Sequence, residues 1–399
     1  MALIDAPSGA PRSRRLAGTT SSPVRDILKV ASRPEVISLA GGLPAPETFD
    51  VAGLRAAFDE VLAGPRAVGA LQYSTTEGDP ALRERLAAFL ALGGLPATGD
   101  EILVTTGSQQ ALGLVATALL DPGDPVLVED PTYLAALQAF DLAEARCVPI
   151  PSDDEGPDPE AFVRAARRSG ARVAYLIPTF QNPTGRTLSA DRRRALAEAA
   201  VEADVWLVED DPYSALRLDG ERVDLLAAQP AARERTIVIQ TLSKVLSPGL
   251  RIGYLRAPAA LYGALAVAKQ AADLHTSTVT QLAAERWLAR HDLHEHIRGL
   301  EAHYRPRRDA LLAALEDELP AGSAWTRPDG GLFIWITLPA GHDAEAVLPR
   351  AVERGVAFVP GRFFYAGEPV RQTLRVSFAT ASPAELEEGA ARLAAAIAG

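Results

Sequence analysis

Cysteine is nearly missing from this chain: Cys147 is the single one in 399 residues. That excludes an intrachain disulfide and fits a reducing compartment, so a cytoplasmic location is expected. No uninterrupted apolar stretch reaches the roughly 18 to 20 residues that a membrane-spanning helix needs, and the N-terminus has no signal-type apolar core; neither insertion nor export is expected. A cationic excess is lacking as well. Forty Lys and Arg stand against 51 Asp and Glu, a formal net charge of −11, which opposes attraction to nucleic acid or to anionic membrane surfaces. Neither a phosphate-loop GxxxxGK[ST] nor a GxSxG nucleophile elbow occurs, and there is no internal repeat. What remains is an ordinary globular composition, 48% hydrophobic and 23% charged, in a chain long enough for one large domain or two to three smaller ones. Small-molecule chemistry is the class these exclusions leave.

From about residue 100, short β-rich runs alternate with helical patterns: EILVTT (101–106), PVLVED (125–130), RVAYLIPT (172–179), VWLVED (205–210) and TIVIQT (236–241). Their apolar residues are consecutive, as expected of strands in a parallel sheet covered by helices on both faces. Helical patterns such as 189–203 lie between them, with Ser189 as a candidate N-cap. After Asp292 the pattern changes to a long polar helix, the run GGLFIWITL (330–338), a further helix and a strand near LRVSFA (374–379). This predicts a second, smaller α+β domain, against which the opening forty-odd residues are candidates to pack. The first residues, around Ser8 to Arg15, are expected to be loose, with order beginning nearer Ser22.

Ligands of an open parallel sheet bind beyond the carboxyl ends of its strands, so the residues after each run carry the interest. TLSKVLSPGLRIG (241–253) follows the fifth run. Burial and the neighbouring charge of Arg251 would lower the pKa of Lys244 and favour the free amine that forms a Schiff base with an aldehyde; a surface loop lysine is the alternative. The fourth run ends in Glu209, Asp210 and Asp211, then Pro212 and Tyr213. One carboxylate could hold a pyridine nitrogen protonated, although a magnesium site or solvated turn acids would show the same residues. Thr106, Gly107, Ser108 and Gln109 precede a helical pattern (110–120), a place where backbone N–H groups and the helix dipole favour a phosphate, or simply a capped turn. TFQNPTGR (179–186) places Asn182 where an amide could reach a ring oxygen, or forms a plain Asn-Pro turn.

Arg375 lies inside an apolar strand pattern, where an unpaired cation is costly, so it requires a carboxylate: that of a substrate, or that of another side chain. His291, His294, His296 and His303 are spaced along a predicted helix and read as a solvated face; no metal site is expected.

Six segments occur together in one order: VRDILKVASRPEVISLAGGLPAPETF (24–49), ALQYSTTEGDPALR (70–83), TTGSQQAL (105–112), PTFQNPTG (178–185), VEDDPY (208–213) and SKVLSPGLRIGY (243–254). On these, the chain from about Ser22 to its end resembles the fold type I aminotransferases dependent on pyridoxal 5'-phosphate (PLP). Within them it is most similar to the 2-aminoadipate and kynurenine aminotransferase II group, which includes the bacterial lysine-biosynthesis enzyme. The resemblance implies an α/β fold with a mostly parallel central sheet and a smaller α+β domain. The expected division is 1–50 for an N-terminal arm and specificity helix, 51–290 for the PLP-binding domain and 291–399 for the small domain.

It further implies that Lys244 holds the cofactor and moves the proton between substrate Cα and cofactor C4′, with Asp210 on the pyridine nitrogen and Asn182 and Tyr213 on the phenolate oxygen. Tyr133 would stack on the ring. Gly107, Ser108, Gln109, Thr241, Ser243 and Arg251 would bind the phosphate, the hydroxyls of Thr241 and Ser243 replacing serines common among relatives. Tyr73 would reach the phosphate of the opposite subunit, making a homodimer with active sites at the subunit interface. Arg375 and Asn182 would clamp the substrate α-carboxylate, with Gly42 beside them, and Ser22 and Arg25 would meet a distal carboxylate.

The implied activity is a ping-pong exchange of an amino group between an L-amino acid (2-aminoadipate, glutamate, aromatic or branched-chain) and a 2-oxo acid such as 2-oxoglutarate. A PLP-dependent lyase or decarboxylase would use the same cofactor contacts. The effector-type domain of a PLP-sensing regulator would need an added DNA-binding domain, for which the aminotransferase pattern, beginning by about Ser22, leaves no room.

Overall fold

The computed structural model describes residues 13–16, 23–31 and 33–399. Seven strands form the central sheet: β1 (Ile102–Thr105), β2 (Pro125–Val128), β3 (Arg146–Pro149), β4 (Val173–Leu176), β5 (Trp206–Asp210), β6 (Thr236–Thr241) and β7 (Gly253–Arg256), in the spatial order β1-β7-β6-β5-β4-β2-β3. Alternate residues of each inner strand enter opposite apolar layers. Val126, Val128, Tyr175 and Val208 join one layer, while Leu127, Ala174, Leu176 and Leu207 join the other. This is why the runs read as continuously hydrophobic.

The sheet is mostly parallel, as expected, and the exception is β7, which was not read as a strand. This strand runs antiparallel to both of its neighbours, with Gly253 paired to Thr105 on one side and to Thr241 on the other. Its amino end therefore lies at the same sheet edge as the carboxyl ends of β1 and β6. The half-exposed edge strand β3, parallel to β2, was also not read as a strand.

The helices that matter for the site are α1 (Pro23–Ala31), α2 (Ser108–Leu119), α3 (Ala190–Glu202), α4 (Ala259–Asp273), α5 (Leu293–Glu318) and α6 (Pro383–Ala398). Ser189 caps α3 as read, accepting from the Arg192 amide at 3.1 Å, and Asp292 caps α5. A second, antiparallel sheet has the order β8-β9-β11-β10, formed by β8 (Ala324–Trp325), β9 (Phe333–Thr337), β10 (Val359–Pro360) and β11 (Thr373–Ser377). The opening segment joins this part of the chain. Ile37–Ser38 pairs in parallel with Val356–Ala357, and Ile27 and Ala31 of α1 pack with Trp335, Val359 and Phe364. Starting α1 at Pro23 suits a residue whose φ is already helical and whose missing N–H would have no partner there.

Candidate active site

A cavity of about 400 Å³ opens at the sheet edge where β1, β4, β5 and β6 end and β7 begins. Ser108, Gln109, Tyr133, Asn182, Asp210, Tyr213, Thr241, Ser243, Lys244 and Arg251 all line it, so residues up to 143 positions apart in sequence converge on one space. Leu43, Ile177, Pro212 and Pro248 complete the wall and were not singled out from sequence.

The three consecutive acids have three different fates. Glu209 accepts from the backbone amides of Leu226 and Ala227 at 2.9 and 2.8 Å, and Asp211 accepts from Gln240 Nε2 and the Ser214 hydroxyl, both at 2.6 Å. Only Asp210 keeps an oxygen in reserve: the Tyr175 hydroxyl donates to its Oδ2 at 2.6 Å, while its buried Oδ1 has no partner. Burial pushes the Asp210 carboxyl up to about 7; the Tyr175 hydrogen bond pulls it down and the nearby Asp211 charge adds to the rise. Solvated turn acids are thereby set aside, since all three are buried. No group of three His, Cys, Asp or Glu side chains among the described residues is placed to hold a metal ion.

Lys244 follows β6 by three residues and its Nζ donates to the Gly42 carbonyl at 2.9 Å. Burial, then the charges of Arg375 and Arg251, lower its pKa from 10.5 to about 8. Gly42 is needed at this place: a Cβ there would come within 2.5 Å of Phe333 Cζ.

On the other side of the cavity, Gly107 has φ of 76°, and its amide region lies against Gly253, where an added Cβ would be 2.5 Å from the Gly107 carbonyl carbon. The close approach of these two backbones sets the opening of α2 at the cavity rim. Arg251, itself at φ 54°, directs Nη2 to the Thr106 carbonyl at 3.4 Å. The Thr241 hydroxyl lies 2.8 Å from Ser243 Oγ and accepts from the Ser243 amide at 3.1 Å. Backbone N–H groups at a helix start, three hydroxyls and one guanidinium thus converge, which is a donor set for a phosphate.

Arg375 on β11 is buried, donating to Asn182 Oδ1 at 2.7 Å and to the Ala40 carbonyl at 2.8 Å, with Phe333 and Phe364 against its guanidinium at 4.1 and 5.0 Å. Its Nε has no partner, and no carboxylate of the described residues pairs with it. Burial lowers its pKa to about 10. Of the two partners weighed from sequence, a protein carboxylate is not the one present. Tyr133 and Tyr213 stand beside it, both pushed up, first by burial, and Tyr133 to about 12.

Other residues fall elsewhere. Tyr73 is 78% exposed, edge-on to His275 at 5.9 Å, and does not line the cavity. Arg25 is on α1; Ser22, like the opening residues 1–12, lies outside the described residues. The histidines correct the solvated-face reading: His291 stacks on Trp287 at 4.5 Å and His296 Nε2 lies 2.6 Å from the Val245 carbonyl, next to the lysine loop, leaving His294 as the exposed member. Tyr175 was missed because a tyrosine inside an apolar run reads as core; its parity with Val173 and Ile177 was the available signal.

The pattern of aminotransferase class I and II matches residues 51–393. The chain belongs to that family. Among its relatives, an aromatic-amino-acid aminotransferase of Thermococcus litoralis is 43% identical, over 96% of this chain and 93% of the relative. The 2-aminoadipate transaminase of Thermus thermophilus is 40% identical, over 95% and 94% of the two chains. The solved α-aminoadipate aminotransferase of Thermus thermophilus, complexed with N-(5'-phosphopyridoxyl)-L-leucine, superposes with a TM-score of 0.90 at 38% identity, covering 97% of each chain. This aminotransferase is of fold type I and depends on PLP, as its motifs imply. The residues present suit the group: an unpartnered buried carboxylate oxygen for a ring N–H, a lysine with lowered pKa for an aldehyde, and a phosphate donor set at the opposite end.

Proposed function

We propose that this cavity exchanges an amino group between an L-amino acid and a 2-oxo acid in two half-reactions that share Lys244, 2-oxoglutarate being one acceptor. The observation that carries the reading is the convergence of Lys244, Asp210 and a phosphate donor set on one cavity, with Arg375 joined to its wall through Asn182. PLP, when bound, supplies an electron sink for the charge developing at substrate Cα.

The chain supplies the rest. Lys244 holds the cofactor aldehyde and then, as a free amine, carries the proton at Cα, work typically worth about 100- to 10,000-fold in rate. Asp210 Oδ1 receives the ring N–H and keeps it protonated. Asn182 and Tyr213 donate to the ring oxygen, Tyr133 covers a ring face, and Gly107, Ser108, Gln109, Thr241, Ser243 and Arg251 take the phosphate. Arg375 offers its fork to the α-carboxylate, with Asn182 and Gly42 beside it; aromatic walls exclude water there and strengthen the pairing. Arg25, with Ser22, is the proposed contact for a distal carboxylate, which would place 2-aminoadipate and glutamate beside aromatic and branched-chain amino acids as donors.

The same reading makes the protein a homodimer. It is supported by the exposed apolar side chains of Val68 and Leu71 beside the exposed Tyr73, which is the proposed contact to the partner subunit's cofactor. Residues 51–290 would form the PLP-binding domain, with 1–50 and 291–399 making the arm and the smaller domain. A cytoplasmic location goes with the single cysteine.

The test is to add single amino acids to purified holoenzyme and follow the cofactor absorbance, then add 2-oxoglutarate. Conversion of the cofactor to its amine form and its return with 2-oxoglutarate is the expected result. Release of carbon dioxide or of free ammonia without amino-group transfer would establish a decarboxylase or lyase instead. Equal rates with 2-aminoadipate, glutamate, leucine and phenylalanine would refute the distal-carboxylate contact.

A further inference from the structure

The chain has three lysines, Lys29, Lys244 and Lys269, and the last is completely enclosed. Its three ammonium protons are all placed: Lys269 Nζ donates to Asp273 Oδ1 at 2.8 Å, to Gln110 Oε1 at 3.0 Å and to Thr276 Oγ1 at 3.0 Å. The acceptors serve a second purpose. Gln110 Oε1 also accepts from the Thr106 amide at 2.8 Å, and Asp273 Oδ2 accepts from the Thr106 hydroxyl at 2.8 Å. The Thr106 carbonyl in turn faces Arg251 Nη2, so all three polar groups of this residue are held.

Thr106 immediately precedes Gly107 and the opening of α2, where the phosphate donor set lies. A fully buried ammonium, here paired with a partly exposed carboxylate, is a costly way to fill space, since an apolar side chain of the same volume is commonly as stable or more so. The cluster has instead the form of a clamp on one loop residue. Burial pushes Asp273 up, but its hydrogen bonds from Lys269, Gln110 and Thr106 outweigh that and leave it below its ordinary value, so it acts as a carboxylate.

We propose that Lys269 is a positioning residue for the cofactor phosphate: through Gln110 and Asp273 it fixes Thr106, and with it the Gly107–Gln109 amides, in the arrangement that receives the anion. This rests on the reading that the start of α2 binds the phosphate. Lys269 itself does not line the cavity, so its effect is exerted through the loop.

The test compares the binding of PLP and of pyridoxal, which lacks the phosphate, to the apoprotein. Lys269→Met is expected to raise the Kd for PLP by about 10- to 100-fold, the size of one to two lost charge-assisted hydrogen bonds, and to change the Kd for pyridoxal by less than about threefold. Gln110→Leu, which leaves the Lys269–Asp273 pair intact, is expected to shift the same ratio in the same direction and keeps the test decisive if the lysine variant does not fold. An equal loss for both ligands, or an unchanged ratio in Gln110→Leu, overturns the proposal. Ser108→Ala is the separate check on the underlying reading: if it leaves the preference for PLP over pyridoxal untouched, the phosphate assignment falls and the inference with it. A loss in Ser108→Ala without one in Lys269→Met removes Lys269 alone.

Discussion

The Tyr175 hydroxyl and Asp210 Oδ2 are joined at 2.6 Å across adjacent strands, Tyr175 pairing with Val208 and so reaching the carboxylate two residues further on. This bond does two things to Asp210. It opposes the effect of burial on its pKa, and it fixes the carboxylate with its other oxygen unpartnered, as the proposed contact to the cofactor ring requires.

Tyr175→Phe is therefore expected to weaken PLP binding and lower kcat by about tenfold each. A stability signature goes with it. Asp210, raised to about 7 in the folded apoprotein, is charged only above that pH, and the hydroxyl stabilises the charged form. The melting-temperature deficit of the apo variant should thus grow as pH rises through 7. Equal deficits at pH 5.5 and 8.5 would contradict the assignment.

For Lys244 the sign is opposite. Burial and two guanidiniums disfavour the ammonium, so the free amine prevails above about pH 8 and not only above 10.5. Capture of PLP by apoprotein should accelerate about tenfold per pH unit below 8 and level off above it; continued acceleration to pH 10 would show an unshifted amine. Borohydride reduction of the holoenzyme followed by peptide mapping should label Lys244 and spare Lys29 and Lys269. In Lys244→Ala, bound cofactor should no longer be converted by amino acids.

Arg375→Lys keeps a charge but loses the planar fork that Asn182 and Ala40 orient. A fall in kcat/KM of at least about 30-fold, carried mainly by KM for the amino acid, is the expected outcome. Unchanged KM in steady-state assays would place the α-carboxylate elsewhere.

Much of this was legible in the residues because two faces of the sheet are buried: consecutive apolar runs marked β1, β2, β4, β5 and β6, and the polar residues following them marked the cavity. What escaped depends on register. β7 is four residues long and begins only at the end of the lysine motif, so its direction emerges only from its pairing with Thr105 and Thr241. Which of Glu209, Asp210 and Asp211 is free is decided by amides of Leu226 and Ala227 and by Gln240, all distant in sequence. Lys269 sits in an alanine-rich helix whose pattern gives no hint that its partners include Gln110 on α2, 159 residues earlier.

The proposed dimer is open to a direct test at Leu71, which is 74% exposed near Tyr73. Leu71→Asp should sediment as a monomer where the unaltered protein sediments as a pair, because a carboxylate in an apolar interface is costly. The monomer should also hold PLP less tightly, having lost Tyr73 of the partner subunit. A monomeric variant with undiminished affinity would remove Tyr73 from the site.

Because β7 returns antiparallel between β1 and β6, the chain leaves the sheet at Thr241 and re-enters at Gly253, both at one rim. Lys244 and Arg251 therefore travel on a single short excursion whose two ends are bolted together. If the proposed roles hold, the reacting amine and the phosphate anchor form one unit of inheritance: an insertion or deletion there would shift both together, and changes of substrate are to be sought in other loops.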